Sequence, residues 1–209
     1  AVQQAEKLGY EAKLFDSQNN PAVESDHFEN LISSGFDAIL FNPTDADGSI
    51  ANILKAKEAG IPVFCMDREV NSNDAATSQI LSDNYTGCVA IGVEFVKQLH
   101  GKGNYVEILG LAGDNNTYAR SNGFHTVVDK FKDLKLLGQQ NGDFDRNKAM
   151  EVMESMMQAN PSIQGVFCGN DAMALGAFQA IQSAGKSDQI KVFGFDGADE
   201  VVQKIKEGK

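Results

Sequence analysis

Short apolar runs alternate with amphipathic segments of roughly 10–18 residues along the whole chain. No other feature constrains the fold as strongly, because a strand that returns through a helix re-enters its sheet as a parallel neighbour. The pattern predicts strands at Ala12–Phe15, Ala38–Phe41, Val63–Met66, Val106–Leu109, Lys135–Gln140, Gly165–Cys168 and Lys191–Phe195. A weaker strand is expected at Thr77–Leu81, after a polar loop. Their near-continuous Val, Ile, Leu and Phe content fits strands covered on both faces by helices. Pro21 opens one helix and Ser33-Ser34-Gly35 closes it, with a glycine suited to the left-handed cap. Gly60-Ile61-Pro62 ends the next, and Gly185 ends the segment that begins at Asp171.

The strand–helix rhythm breaks once, over Glu69–Asp83. A domain boundary is therefore placed near Ser82, with an N-terminal lobe over 1–82 and a C-terminal lobe over 83–209, each a doubly wound parallel sheet. The chain starts inside an amphipathic helix at Ala1–Gly9 without Met or an N-cap residue, and it ends inside another at Gln203–Lys209. Both lobes are accordingly expected to be incomplete, and any leader sequence would lie upstream.

Composition removes several function classes. The net charge of −11 over 209 residues disfavours nucleic acid and anionic membrane surfaces, whose phosphates would repel the chain. No apolar run approaches the length of a membrane span. Cys65, Cys88 and Cys168 form no even disulfide framework and no metal spacing. His27, His100 and His125 are scattered without ligand spacing and read as solvated surface residues. Gly185-Lys186-Ser187 resembles the end of a phosphate loop but terminates a helix, so it reads as a cap. Met153, Met156 and Met157 share a helical face and read as core. No nucleophile–base pair and no metal set is found, so the sequence predicts neither an enzyme nor a metal or cofactor site.

Ligands of doubly wound sheets bind beyond the carboxyl ends of the strands. Hydrogen-bonding side chains collect there: Asp67-Arg68, Gly110 to Arg120, Asp143 to Arg146, Asn170-Asp171 and Asp196. Taken singly, each has a structural explanation, an N-cap for Asn170 or Asp171 and a surface ion pair for Arg68 or Arg120. Taken together they mix acceptors, donors and an aromatic wall at Phe144. Vicinal hydroxyls can donate to an Asp while accepting from an Arg, so the mixture suits a neutral polyhydroxylated ligand.

The residues also carry a family resemblance. Asp16-Ser17-Gln18-Asn19-Asn20-Pro21-Ala22, Phe41-Asn42-Pro43-Thr44-Asp45, Gly60-Ile61-Pro62-Val63 leading to Asp67-Arg68, and Ser82-Asp83-Asn84 all resemble periplasmic sugar-binding proteins of the ribose-binding type. So do Gly142-Asp143-Phe144-Asp145-Arg146, Asn170-Asp171-Ala172-Met173-Ala174-Leu175-Gly176-Ala177 and Val192-Phe193-Gly194-Phe195-Asp196-Gly197. The resemblance runs in order along essentially the whole chain. It implies an α/β, type 1 periplasmic binding protein fold of two similar lobes joined by a hinge, truncated here at both ends. It further implies a solute receptor that closes on a monosaccharide (pentose, hexose or polyol) and delivers it to the permease of an ABC importer. A chemoreceptor is a further partner of such proteins, and the implied location is the periplasm, or a lipid-anchored extracellular position in a Gram-positive cell. Carried over residue by residue, the ligand-binding set is Asp67, Arg68, Arg120, Phe144, Asn170 and Asp196.

Two departures stand out. The family's first strand should precede Ala1 and its C-terminal part should follow Lys209. The stretch Gly113-Asp114-Asn115-Asn116-Thr117-Tyr118 is bulkier and more polar than the small-residue loop usual in ribose receptors, which counts against ribose itself. The rival reading, the effector-binding core of a lactose-repressor-type transcription factor, shares the fold and would carry a DNA-binding segment upstream. The acidic balance, Gly185-Lys186-Ser187-Asp188 and Phe195-Asp196-Gly197 favour the transport receptor.

Overall fold

The computed structural model describes residues 1–208; Lys209, the last residue of the expected C-terminal lobe, lies outside the described residues. The chain divides into two compact units, one of Ala1–Ser82 with Gly113–Asn115, the other of Asp83–Ala112 with Asn116 onward.

The first unit contains α1 (Val2–Lys7), α2 (Pro21–Ser34), β1 (Ile39–Phe41), α3 (Ile50–Glu58), β2 (Val63–Met66) and β3 (Ser78–Ile80). Its strands form a parallel sheet in the order β1-β2-β3. Helix α2 begins where Asn20 Oδ1 accepts from the Ala22 and Val23 amides, and it ends at Gly35 with φ of 69°. Ile39, Phe41, Val63 and Cys65 alternate onto the helix-covered face and pack with Phe28, Leu31, Ile53 and Ala56. The opposite face is not covered among the described residues: Leu40 is 54% exposed and Ile80 61%. This corrects the expectation of helices on both faces, since α1 buries none of its residues. The strand expected at Ala12–Phe15 is also absent. A strand exists by pairing with a neighbour, and no described segment pairs with these residues, of which Leu14 is exposed.

The second unit contains α4 (Asn84–Gln98), β4 (Lys102–Leu109), α5 (Asn115–Val128), β5 (Asp133–Asn141), α6 (Arg146–Ala159), β6 (Ile163–Cys168), α7 (Asp171–Ser183), β7 (Lys191–Phe193) and α8 (Asp199–Lys206). The first residue of α5 is counted with the first unit. The parallel sheet runs β5-β4-β6-β7 and is wound on both faces. Val106, Ile108, Val166 and Cys168 point to α6 and α7, where Met153, Met156 and Met157 fill core as their spacing predicts. Tyr105 and Phe167 point the other way, to Phe95 and Phe124, whose ring stacks on Phe167 at 4.2 Å between centroids.

All three cysteines are free and buried. Burial pushes the thiols up, to about 11 for Cys65 and about 12 for Cys88, and raises Cys168 as well, so none is a ready thiolate.

His125 departs from its expected surface role. Its Nε2 lies 2.9 Å from Glu107 Oε2 and its Nδ1 2.8 Å from Asp129 Oδ1, and Glu107 itself is 1% exposed on β4. Gln139 also donates to Glu107. The Glu107 hydrogen bond, opposed by burial and reinforced by Asp129, raises the imidazole to about 9. A folded value above the unfolded one stabilises fully below about pH 6.5 and is lost as pH rises through about 9. Denaturant melts between pH 6 and 10 should show this fall, and Glu107→Gln should flatten it.

Candidate functional site

Five of the six expected site residues stand just past a strand's carboxyl end, and Arg120 stands within α5, the helix that follows β4. In the first unit, Asp67 follows β2 with φ of 69°, its amide donating to Ile80 O at 2.9 Å. That left-handed conformation is costly for a non-glycine residue. Asn42 Nδ2 donates to Asp67 Oδ2 at 3.4 Å. Arg68 is held on several sides: Nε pairs with Asp114 Oδ2 at 2.7 Å, and Nη1 donates to Asn19 Oδ1 at 2.9 Å and to Pro43 O at 3.3 Å. The loop carrying Pro43 is tied down by Glu24, a buried carboxylate that accepts from Thr44 N at 2.8 Å and from Asn52 Nδ2 at 3.2 Å.

In the second unit, Arg120, Phe144 and Asp196 come together. Arg120 is 5% exposed, so its charge must be met inside the protein. Nε donates to Asn84 Oδ1 at 2.8 Å, Nη1 donates to Gly169 O at 2.7 Å, and Nη1 lies 3.3 Å from Asp196 Oδ1. The guanidinium sits 4.2 Å from the Phe195 ring centroid and 5.7 Å from that of Phe144. Phe144 (φ of 58°) and Asp196 (φ of 117°) both occupy the region that favours glycine. Gly110, at the end of β4, makes room for the Phe144 ring, which a Cβ there would overlap. Three of the six expected residues thus carry backbone strain, the kind of cost that collects at binding sites.

Asn170 is the N-cap of α7, its Oδ1 accepting from Met173 N at 2.9 Å, so the structural role weighed for it is present. It follows directly the Gly169 carbonyl that holds Arg120.

Three supporting residues lie outside the expected set. Asn84 bridges Arg120 to Asn116, donating from Nδ2 to Asn116 Oδ1 at 2.9 Å. Asp171 accepts from Ala198 N at 2.7 Å and so braces the loop that presents Asp196. Burial raises its carboxyl, against the Ala198 and Gly197 amides and Arg120, which lower it. Asp114 pairs with Arg68. Asn84 and Asp171 sat inside motifs already visible in the sequence; the Asp114 partnership bridges residues 46 apart in the chain and left no local signal.

Among the described residues no group of His, Cys, Asp and Glu could hold a metal ion, and no helix is long and apolar enough to cross a membrane. Arginines and short carboxylates, joined in the second unit by phenylalanine rings, gather toward the carboxyl ends of the parallel sheets of an α/β protein. The chain belongs to the family of the periplasmic binding protein domain, whose model matches residues 1–209. It is 39% identical over 208 residues to the D-apiose import binding protein of Actinobacillus succinogenes, matching all of this chain and 67% of that protein. It is 40% identical over 210 residues to the ribose import binding protein of Escherichia coli, with 100% and 70% covered. Among solved structures, an ABC transporter solute binding protein from Mycobacterium smegmatis with bound glycerol is similar at a TM-score of 0.93 and 32% identity, with 100% and 72% covered. The chain therefore spans about two thirds of the length of the relatives it matches.

Proposed function

We propose that this chain is the ligand-binding part of a solute receptor that takes a neutral monosaccharide or polyol and passes it to the membrane permease of an ABC importer. The residues assigned to ligand contact in this reading are Asp67 and Arg68 in the first unit and Arg120, Phe144, Asn170 and Asp196 in the second. Both lobes must contribute for the ligand to favour a closed form, since only differential affinity shifts an equilibrium. The observation that carries this reading is the buried Arg120, already matched by Asp196 and flanked by two phenylalanine rings. A guanidinium whose charge is met inside the protein suits hydroxyls rather than an anion, and the rings suit the apolar face of a sugar. Binding without turnover, a periplasmic or lipid-anchored extracellular location and a chemoreceptor as second partner belong to the same proposal. The effector-core alternative is set aside because the relatives named above are import and transporter binding proteins.

A thermal-melt screen of the full-length protein against D-apiose, D-ribose, D-allose, L-arabinose, myo-inositol and glycerol tests this. At least one of them should raise the Tm in a concentration-dependent way, while ribose 5-phosphate should not. A panel without any shift, or a shift confined to the phosphate, would contradict the proposal.

A further inference from the structure

Arg68 is fixed by a segment distant in sequence. Gly113-Asp114-Asn115 is pinned on both sides of Asp114: Gly113 O accepts from Ala46 N at 2.8 Å, and Asn115 Nδ2 donates to Glu69 Oε1 at 2.9 Å and Asn71 Oδ1 at 2.8 Å. Glu69 and Asn71 follow Arg68 in the loop after β2. Between these anchors Asp114 is 4% exposed and meets Arg68 Nε at 2.7 Å. Nη1 of the same guanidinium is held separately by Asn19 and Pro43. An Arg fork anchored at Nε and at Nη1 has one plane and one direction, so its ligand-facing edge is set before any ligand arrives.

We infer that Asp114 is the positioning residue for Arg68, orienting its guanidinium toward the ligand and matching its charge, so that the first lobe prefers an uncharged ligand. The inference rests on the receptor reading above and assigns to the polar loop at Gly113–Tyr118 a specific task within it. Asp114 acts through Arg68 and not by touching the ligand. A residue that acts through a partner loses its effect when the partner is removed, and packing alone does not produce that pattern.

The test is a double-mutant cycle on the full-length protein, read as Kd by calorimetry with the tightest-binding compound of the neutral panel. Asp114→Asn should weaken binding roughly tenfold or more, since the carboxylate is exchanged for a neutral group of the same shape. In an Arg68→Ala background the same substitution should change Kd by less than about twofold. Asp114→Ser replaces Asp114→Asn if the latter lowers the Tm by more than a few degrees. The galacturonate ion supplies a second readout: its binding relative to the neutral sugar should improve in Asp114→Asn. Wild-type affinity retained by Asp114→Asn, or an equal loss in both backgrounds, overturns the inference and leaves the receptor reading standing. Wild-type protein that binds no member of the panel overturns both.

Discussion

Replacing Arg120 with alanine is expected to raise the Kd for the bound sugar or polyol by roughly 30-fold or more. The size follows from what the side chain leaves behind. Asn84 Oδ1, Gly169 O and Asp196 all accept from or pair with this one guanidinium, and Arg120 and Asn84 are both buried. Removing the donor takes these hydrogen bonds from the buried Asn84 amide and the Gly169 carbonyl, at about 1–3 kcal/mol each, and takes the ion pair from the exposed Asp196. Arg120→Lys keeps the charge but not the planar fork, so it should recover only part of the affinity. Asp196→Asn should weaken binding in the same direction, because the carboxylate is both the partner of Arg120 and an acceptor suited to ligand hydroxyls. Calorimetry on each variant, with the far-UV spectrum and Tm recorded alongside, separates lost binding from lost fold.

Gly176→Ala is expected to give the largest loss of stability for one added carbon. Gly176 lies on α7 at its closest approach to α6, and a Cβ there would overlap the backbone carbonyl of Arg146. The obstacle is backbone, so no side-chain rotation relieves it and the two helices must separate. That costs about 3 kcal/mol or more, at the upper end of overpacking effects. At roughly 2–4 °C per kcal/mol for a chain of this size, the Tm should fall by roughly 6–12 °C. Asp145 caps α6 and Arg146 starts it directly after Phe144, so ligand affinity should fall with it.

Much of the fold was legible because the residues that set it act locally. Pro21, Gly35 and Gly185 stand at helix ends where their fixed or left-handed backbone is needed, and the apolar run of β6 marks a strand buried over most of its length. Ala12–Phe15 misled for the opposite reason. Its apolar content resembles a strand, but a strand requires a neighbour and residue type does not encode one. The solvated reading of His125 failed likewise, because Glu107 is 18 residues away and the two meet only once α5 packs on the sheet. At the site, the junction residues were visible because carboxylates, arginines and amides past strand ends are themselves the signal. Asn84 lay in a motif already visible, but its place behind Arg120, like that of Asp114 behind Arg68, became visible only through tertiary contacts.

Arg68 of the first unit and Arg120 of the second are each proposed to contact the neutral ligand. Calorimetric titration of the full-length protein with the compound that raises the Tm most, repeated on Arg68→Ala and on Arg120→Ala, tests this most directly. A single site in the wild type and a loss of at least about tenfold in Kd for each variant are expected, with a lower Tm of the free protein for Arg68→Ala because the buried Asp114 loses this ion pair. Unaltered Kd in either variant, or saturable binding of a sugar phosphate in preference to every neutral compound, would contradict this proposal.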